Sequence, residues 1–461
     1  MKDDIEKVTE EKEGKEEKEK DKDVISHGKQ ASKLSSAKQT IKSLGPGIIT
    51  GAADDDPSGI ATFSQAGAQF GFGMLWMALF QYPMMTVIQE ICARIGLVTG
   101  NGLGGVFKKK YSKKVVLPFA GLLIIANTIN IGADIAAMGA SVRLLVPQIP
   151  VFITTLSFAL FIIGSEIIIP YKKYVKILKY TTLSLFAYVI TAIIVGGSWS
   201  QILVSSIIPH IEIKPEFATM FVAIVGTSIS PYLFFWQTSE EAEEEIAKKK
   251  IKEIGKGNPK ISKKEIKLMR TDIATGIAFA ELIVWTIIIT TAGSLHSHGV
   301  TDIQSAEQAA KALEPLVKTF PHAGEISKAI FAFGIVGTGL LAIPVLAGSS
   351  GYALADTFGW KQGLNKRFKQ AKVFYLVIAA STAIGLVMNF VNIDPIKALI
   401  YTAVINGITA VPILFAVMKI SNDKSILKEN TNGRISNIVG WLTFVVMGMS
   451  VVIMFFTWSS Q

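Results

Sequence analysis

The stretch that most limits this chain runs Gly45-Pro46-Gly47-Ile48-Ile49-Thr50-Gly51-Ala52-Ala53-Asp54-Asp55-Asp56-Pro57-Ser58-Gly59-Ile60-Ala61-Thr62. It reads as a membrane span with three carboxylates and a proline in its middle. As a helix, the segment from Leu44 to Asp56 rises about 18 Å, a little over half of a hydrocarbon layer roughly 30 Å thick. A charge at that depth is costly and is retained where it faces a cavity or a partner. Pro57 disfavours helical geometry at the residue before it, so the helix breaks at Asp56. Pro57 then suits the first position of a second half-helix, with Asp56 as its cap. Opened backbone at mid-membrane is tolerated where it is buried in protein or lines a cavity. The functional reading is an ion site; the competing one is a proline kink whose carboxylate only caps a helix.

The rest of the chain fits a multi-span membrane protein. Of 461 residues, 50% are hydrophobic and 18% charged, with a mean hydropathy of +0.43. The charges gather in the first forty or so residues and in short islands between long apolar runs. Residues 1–40 mix Lys and Glu too densely to build a core and are expected to form a disordered, charged cytoplasmic tail without a secretory h-region. Eleven apolar spans follow within a transmembrane domain, 41–461: roughly 44–67, 73–96, 115–145, 150–169, 176–196, 216–237, 272–295, 326–350, 371–389, 395–419 and 436–458. The net charge of +10 does not point to nucleic acid, because the basic residues flank membrane ends. The single Cys92 lies in an apolar run and supports no disulfide framework.

Loop charge sets the expected orientation. Lys108, Lys109, Lys110, Lys113 and Lys114 follow the second span, and Lys172, Lys173, Lys176 and Lys179 the fourth. The 238–271 loop is rich in Lys; Lys361, Lys366, Arg367, Lys369 and Lys372 follow the eighth span, and Lys419, Lys424, Lys428 and Arg434 the tenth. The alternate loops carry few, so the amino terminus and the even-numbered loops are expected in the cytoplasm and the carboxyl terminus outside. Within 238–271, the run Glu240-Glu241-Ala242-Glu243-Glu244-Glu245 precedes Lys248-Lys249-Lys250. Four-residue spacing of Glu244 to Lys248 and Glu245 to Lys249 suggests a solvated helix with ordinary ion pairs. His210, His296, His298 and His322 show no metal-ligand spacing and read as surface residues.

A second break lies in span six, Gly226-Thr227-Ser228-Ile229-Ser230-Pro231-Tyr232. Five spans separate it from the first, so it crosses in the opposite sense. Two interrupted spans in matching positions of two five-helix halves point to an inverted-repeat secondary transporter. The repeats are 44–196 and 216–419, with 436–458 as an added helix.

These residues resemble the NRAMP family of divalent metal transporters. The likeness is carried by Gly45-Pro46-Gly47, Asp56-Pro57-Ser58-Gly59-Ile60-Ala61-Thr62 and Gln65-Ala66-Gly67-Ala68-Gln69-Phe70-Gly71. Further matches are Gln89, Arg94 and Gly96-Leu97-Val98-Thr99-Gly100, Asn130-Ile131-Gly132-Ala133-Asp134, and Gly226-Thr227-Ser228-Ile229-Ser230-Pro231. The resemblance implies an all-α LeuT-type fold of five plus five transmembrane helices with an eleventh added, and proton-linked uptake of divalent metal. This chain departs from the family where it matters most. The family's Asp-Pro-Gly-Asn is Asp56-Pro57-Ser58-Gly59, so the amide ligand is lost at Gly59. The family's thioether stands at Ser230, its two sixth-span histidines at Tyr232 and Gln237, and its second third-span acid at Ala137, while Asp134 matches the first. Asp54 and Asp55 are extra carboxylates.

The candidate metal donors are therefore Asp56, the Ser230 hydroxyl and the carbonyls near Ala53 and Thr227, with Asp54 and Asp55 as further ligands or cation-attracting groups. An all-oxygen set favours Mg²⁺ or Mn²⁺ over softer metals. Asp134 and Glu281 are the candidate proton-relay acids, and Asn406 a candidate amide beside the cavity. The expected function is divalent cation transport as substrate movement, with no cofactor, no enzymatic activity and protons as a candidate co-substrate. The competing readings are an organic-solute symporter on the same fold, against which the fixed anion at Asp56 argues, and a membrane receptor that binds metal without turnover. The expected setting is the bilayer of a prokaryotic plasma membrane.

Overall fold

The computed structural model describes residues 46–169, 173, 174, 181–389 and 394–459. The 1–40 segment, the start of span one at Leu44 and Gly45, and Lys172, Lys176 and Lys179 lie outside the described residues. Helices form on all eleven apolar segments, and among the described residues the only β pairing is an isolated bridge between Glu253 and Lys256. The helices on these segments are α1 Pro46–Asp54, α2 Pro57–Phe70, α3 Trp76–Thr99, α4 Lys113–Leu145, α5 Val151–Ile168, α6 Phe186–Val195 and α7 Pro215–Ser228. They continue with α8 Pro231–Ala247, α9 Lys263–Ser294, α10 Ala323–Phe358, α11 Lys372–Met388, α12 Pro395–Ser421 and α13 Arg434–Ser459.

By length and apolarity, seven of the described segments qualify as spans unaided, or up to nine if each of two bent pairs is one span. The difference from eleven has local causes. Span one is divided into a 9-residue and a 14-residue half-helix, and span nine is only 17 residues long. Span two, α3, has 24 residues but carries Gln81, Gln89, Glu90 and Arg94. The 107° bend between α2 and α3 is the turn joining spans one and two, each long enough for its own crossing. Both breaks fall where the prolines put them: Asp56 has extended backbone (φ −70°, ψ 172°) before Pro57, and Ser230 (φ −80°, ψ 137°) before Pro231.

Small residues let these helices approach closely, the usual source of cohesion where lipid competes equally for apolar contact. A Cβ on Gly51 of α1 would lie 2.4 Å from the Gly276 carbonyl of α9. On Gly226 of α7 it would lie 2.2 Å from the Ala403 carbonyl of α12. Two backbones therefore touch at each place, one beside each break.

The acidic run after span six is not the solvated helix expected from its spacing. The helix continues through it as α8, and Glu240, Glu241, Glu243 and Glu245 are buried. Glu245 pairs with Lys248 and Lys250, and Glu243 accepts hydrogen bonds from the Leu364 and Asn365 amides and the Tyr352 hydroxyl. The four-residue rule failed because the run packs inside the end of the bundle, where partners come from distant chain.

Gly226→Ala should lower the melting temperature measurably. Overpacking costs about 1–3 kcal/mol, more than the roughly 1 kcal/mol of helix propensity gained. Gly121→Ala, whose Cβ meets nothing within 4 Å, should cost nothing. Equal melting curves for the two purified variants would contradict the close crossing.

Candidate metal site

Asp56 is held by the second half-helix of span one and by span three. Its Oδ1 accepts from the Gly59 amide at 2.7 Å and from Ser58 Oγ at 2.6 Å. Its Oδ2 accepts from Asn130 Nδ2 of α4 at 3.2 Å. Asn130 is in turn fixed by Thr402 of α12, whose Oγ1 donates to Asn130 Oδ1 at 2.9 Å. The capping role expected of Asp56 is thus present, and so is a brace from outside its own span.

The second break faces the first. Tyr232 donates its hydroxyl to the Ala53 carbonyl at 3.3 Å, and Ser58 Oγ lies 3.4 Å from Thr227 Oγ1. A Cβ on Gly59 would sit 3.5 Å from that same Thr227 oxygen. Ser230 does not cap α8; its hydroxyl donates back to the Gly226 and Thr227 carbonyls at 2.6 and 2.7 Å. Of the two backbone oxygens singled out in sequence, the Ala53 carbonyl accepts across the breaks from Tyr232, whereas the Thr227 carbonyl accepts from Ser230 of its own span.

Three of the acids near the breaks have no hydrogen-bond partner among the described residues. Both carboxylate oxygens of Asp54, Asp55 and Asp134 are buried without a hydrogen bond. Asp134 lies within electrostatic range of Asp56, and Asp54 and Asp55 within range of Glu281. Glu281 of α9 accepts from Gln81 Nε2 of α3 at 3.0 Å, and its other oxygen is unpartnered. Among the described residues Arg94 is the one buried Lys, Arg or His, and it is paired with Glu90 at 3.0 Å. No three His, Cys, Asp or Glu among the described residues converge as a ready metal cluster, so the three consecutive aspartates do not share one point. Asp54, Asp55, Asp56, Thr227, Ser230 and Tyr232 are each at most 1% exposed, so the gap is shut off from solvent.

The remaining sequence candidates divide. Gln237 lies one side of the gap, accepting from Thr50 Oγ1 of α1 and donating to Glu241 Oε1 at 3.0 Å. It therefore ties α1 to α8 and is not an open ligand. Asn406 is four residues beyond Thr402, on the same helix face, and both its amide atoms are buried without partners. Sequence reasoning missed Ser58, Asn130 and Thr402. Asn130 was findable, since it stands one helical turn before Asp134 and shares its face. Thr402 had no such signal, because only the packing of α12 on α4 brings it there. Met138, one turn after Asp134, packs its sulfur against Gly339 beside Pro57.

With this geometry in place, comparison with known proteins is decisive for the family. The sequence model described as "Nramp: Natural resistance-associated macrophage protein-like" matches residues 47–457. The chain belongs to the Nramp family. It is 25% identical over 422 residues to "Divalent metal cation transporter MntH" of Caldanaerobacter subterraneus subsp. tengcongensis, covering 88% of this chain and 90% of that one. It is 22% identical over 433 residues to the protein of the same name from Ralstonia nicotianae, covering 90% of each. In structure it is similar to the Eremococcus coleocola manganese transporter, with a TM-score of 0.69 at 16% identity, covering 90% of this chain and 86% of that one. It also resembles MhsT, crystallised with L-phenylalanine, with a TM-score of 0.54 at 10% identity, covering 89% of this chain and 98% of that one. The Nramp chain is therefore a LeuT-fold membrane transporter and not an enzyme.

Asn130→Ala should weaken divalent-cation binding about tenfold or more while leaving the fold intact, because hydrogen bonds to charged groups are worth roughly 1.5–3 kcal/mol. Calorimetric titration of purified protein checks this, and Thr402→Val should show a smaller loss in the same direction. Wild-type affinity in both variants would mean that Asp56 is not braced through α4.

Proposed function

We propose that this chain is a secondary transporter of divalent metal cations, with the ion held between the two breaks by Asp56. The observation that carries the reading is the set of buried, unpartnered acids around Asp56 with no Lys, Arg or His among the described residues to balance them. Burying carboxylates without a counter-charge is expensive, and a bound cation relieves that cost directly. The same imbalance opposes an anionic organic substrate. The printed names of the bacterial relatives and of the Eremococcus coleocola protein support the same substrate class.

Asp56 is the proposed anchoring ligand. Ser230, Thr227 and Ala53 supply hydroxyl and carbonyl oxygens, Asp54 and Asp55 attract the cation, and Asn406 supplies an amide as the breaks rearrange. Such oxygen donors suit Mg²⁺ or Mn²⁺. Because the gap is closed to solvent, transport requires the half-helices to open toward each side in turn, carrying Asp56 with them. The basic loops set the amino terminus and the even-numbered loops on the cytoplasmic side of a prokaryotic plasma membrane.

Proton coupling is proposed to be weak. Tyr232, Gln237 and Ala137 stand where titratable groups would serve a relay, and tyrosine releases its proton only near pH ~10. Tyr232 and Gln237 are also committed to Ala53, Thr50 and Glu241. Asp134 and Glu281 remain as acids in range of the site. A doubly charged ion gains about 4.6 kcal/mol across 100 mV, enough to drive accumulation alone.

In proteoliposomes, Mg²⁺ or Mn²⁺ should enter in preference to Cd²⁺, and Asp56→Asn should abolish uptake. Ser230→Met should shift preference toward Cd²⁺; a wild type that already favours Cd²⁺ defeats the hard-donor reading. Internal pH should stay nearly constant during uptake. Stoichiometric acidification that disappears in Asp134→Asn would instead establish proton symport.

A further inference from the structure

Away from the ion site, a cavity of about 400 Å³ opens at the end of the bundle that carries the basic loops. Four cations line it: Arg94 of α3, and Lys263, Lys267 and Arg270 of α9. The three from α9 follow the i, i+4, i+7 spacing of one helix face, with Ile266 between them. Arg94 and Arg270 both bind Glu90, at 3.0 and 2.9 Å, which ties α3 to α9 along one wall. Arg94 is further held by Asn430 and Asn432 of the segment that precedes α13, which closes the opposite wall. Lys263 and Lys267 are exposed and form no ion pair with another described residue, and Glu429 is the one acid in the lining. Lys263 also stands at the first position of α9, where the helix dipole disfavours a positive charge. Four cations thus face one cavity against two carboxylates, Glu90 and Glu429, which leaves an excess of positive charge.

The cavity does not end in water alone. Immediately beyond it α13 begins at Arg434, and its outward face is an apolar stripe of Ile435, Ile438, Leu442, Met449 and Val452, all exposed. On α9, Leu268 beside Lys267 is also exposed. A phosphate placed among the cations would have its acyl chains on this stripe. The stripe meets the bilayer in any case, so the cavity lies where lipid headgroups gather, and basic pockets between spans suit anionic headgroups.

We propose that this cavity is a binding site for an anionic phospholipid, its phosphodiester headgroup held by Lys263, Lys267, Arg270 and Arg94 and its chains lying along α13. The bound lipid links α3, α9 and the segment entering α13, and so steadies α9, which packs against α1 and carries Glu281. The site is independent of which ion is transported.

The test is native mass spectrometry of the full chain in detergent, titrated with phosphatidylglycerol, phosphatidylcholine or inorganic phosphate. Phosphatidylglycerol should be retained and phosphatidylcholine should not. Lys263→Gln with Lys267→Gln should weaken retention about 25-fold, taking each lysine near an anionic surface as worth roughly a factor of five. The exposed pair Lys113→Gln with Lys114→Gln should change nothing. Glu429→Lys should tighten retention, a gain that misfolding cannot imitate. Inorganic phosphate binding as well as the lipid, or displacing it at equal concentration, would reduce the site to an anion pocket and overturn the lipid assignment. Equal retention of both lipids, or no change in the charge variants, would overturn it as well.

Discussion

Carboxylates buried inside a membrane bundle, with no cation beside them among the described residues, are the constraint on which this structure depends. Asp54, Asp55, Asp134 and Glu281 carry unpartnered buried oxygens within electrostatic reach of one another or of Asp56. Asp56 differs from its neighbours in being hydrogen-bonded at both oxygens, by Ser58, Gly59 and Asn130. One acid is therefore positioned and several are only placed nearby. That division suits a site in which a single carboxylate meets the ion and the others set the local potential.

The bundle makes this possible by breaking two helices and packing others tightly around the breaks. Pro57 and Pro231 open the backbone, and Gly51 and Gly226 bring α9 and α12 to within backbone contact beside each opening. Distant helices then supply what the broken ones cannot. Asn130 and Thr402 brace Asp56 from α4 and α12, and Glu281 reaches the aspartates from α9. An opening motion that separates α1 from α9 or α7 from α12 must disturb these close crossings first.

Much of this was legible in the sequence because it rests on local chemistry. A proline after Asp56 and another after Ser230 fix the breaks wherever the surrounding spans are helical, and the carboxylate-plus-proline pair identified the centre of the molecule. The spans were legible as apolar runs, but not their independence: span two needs its neighbours to bury Gln89, Glu90 and Arg94. What was not legible depends on non-local packing. The buried Glu243 has partners more than a hundred residues away, so helical spacing alone made the acidic run look solvated. Thr402 is an ordinary threonine until α12 lies against α4. Asn130 falls between, since its turn-spacing from Asp134 marked the face without saying what it would hold.

The most direct test of the central claim is to locate the ion. Crystals grown with Mn²⁺ and measured at the manganese absorption edge should show one strong anomalous peak between the breaks. It should lie about 2.0–2.6 Å from an Asp56 carboxylate oxygen, within reach of oxygens at Ser230, Thr227 or Ala53. A peak away from the breaks, or an undiminished peak between them in Asp56→Asn, would contradict the account.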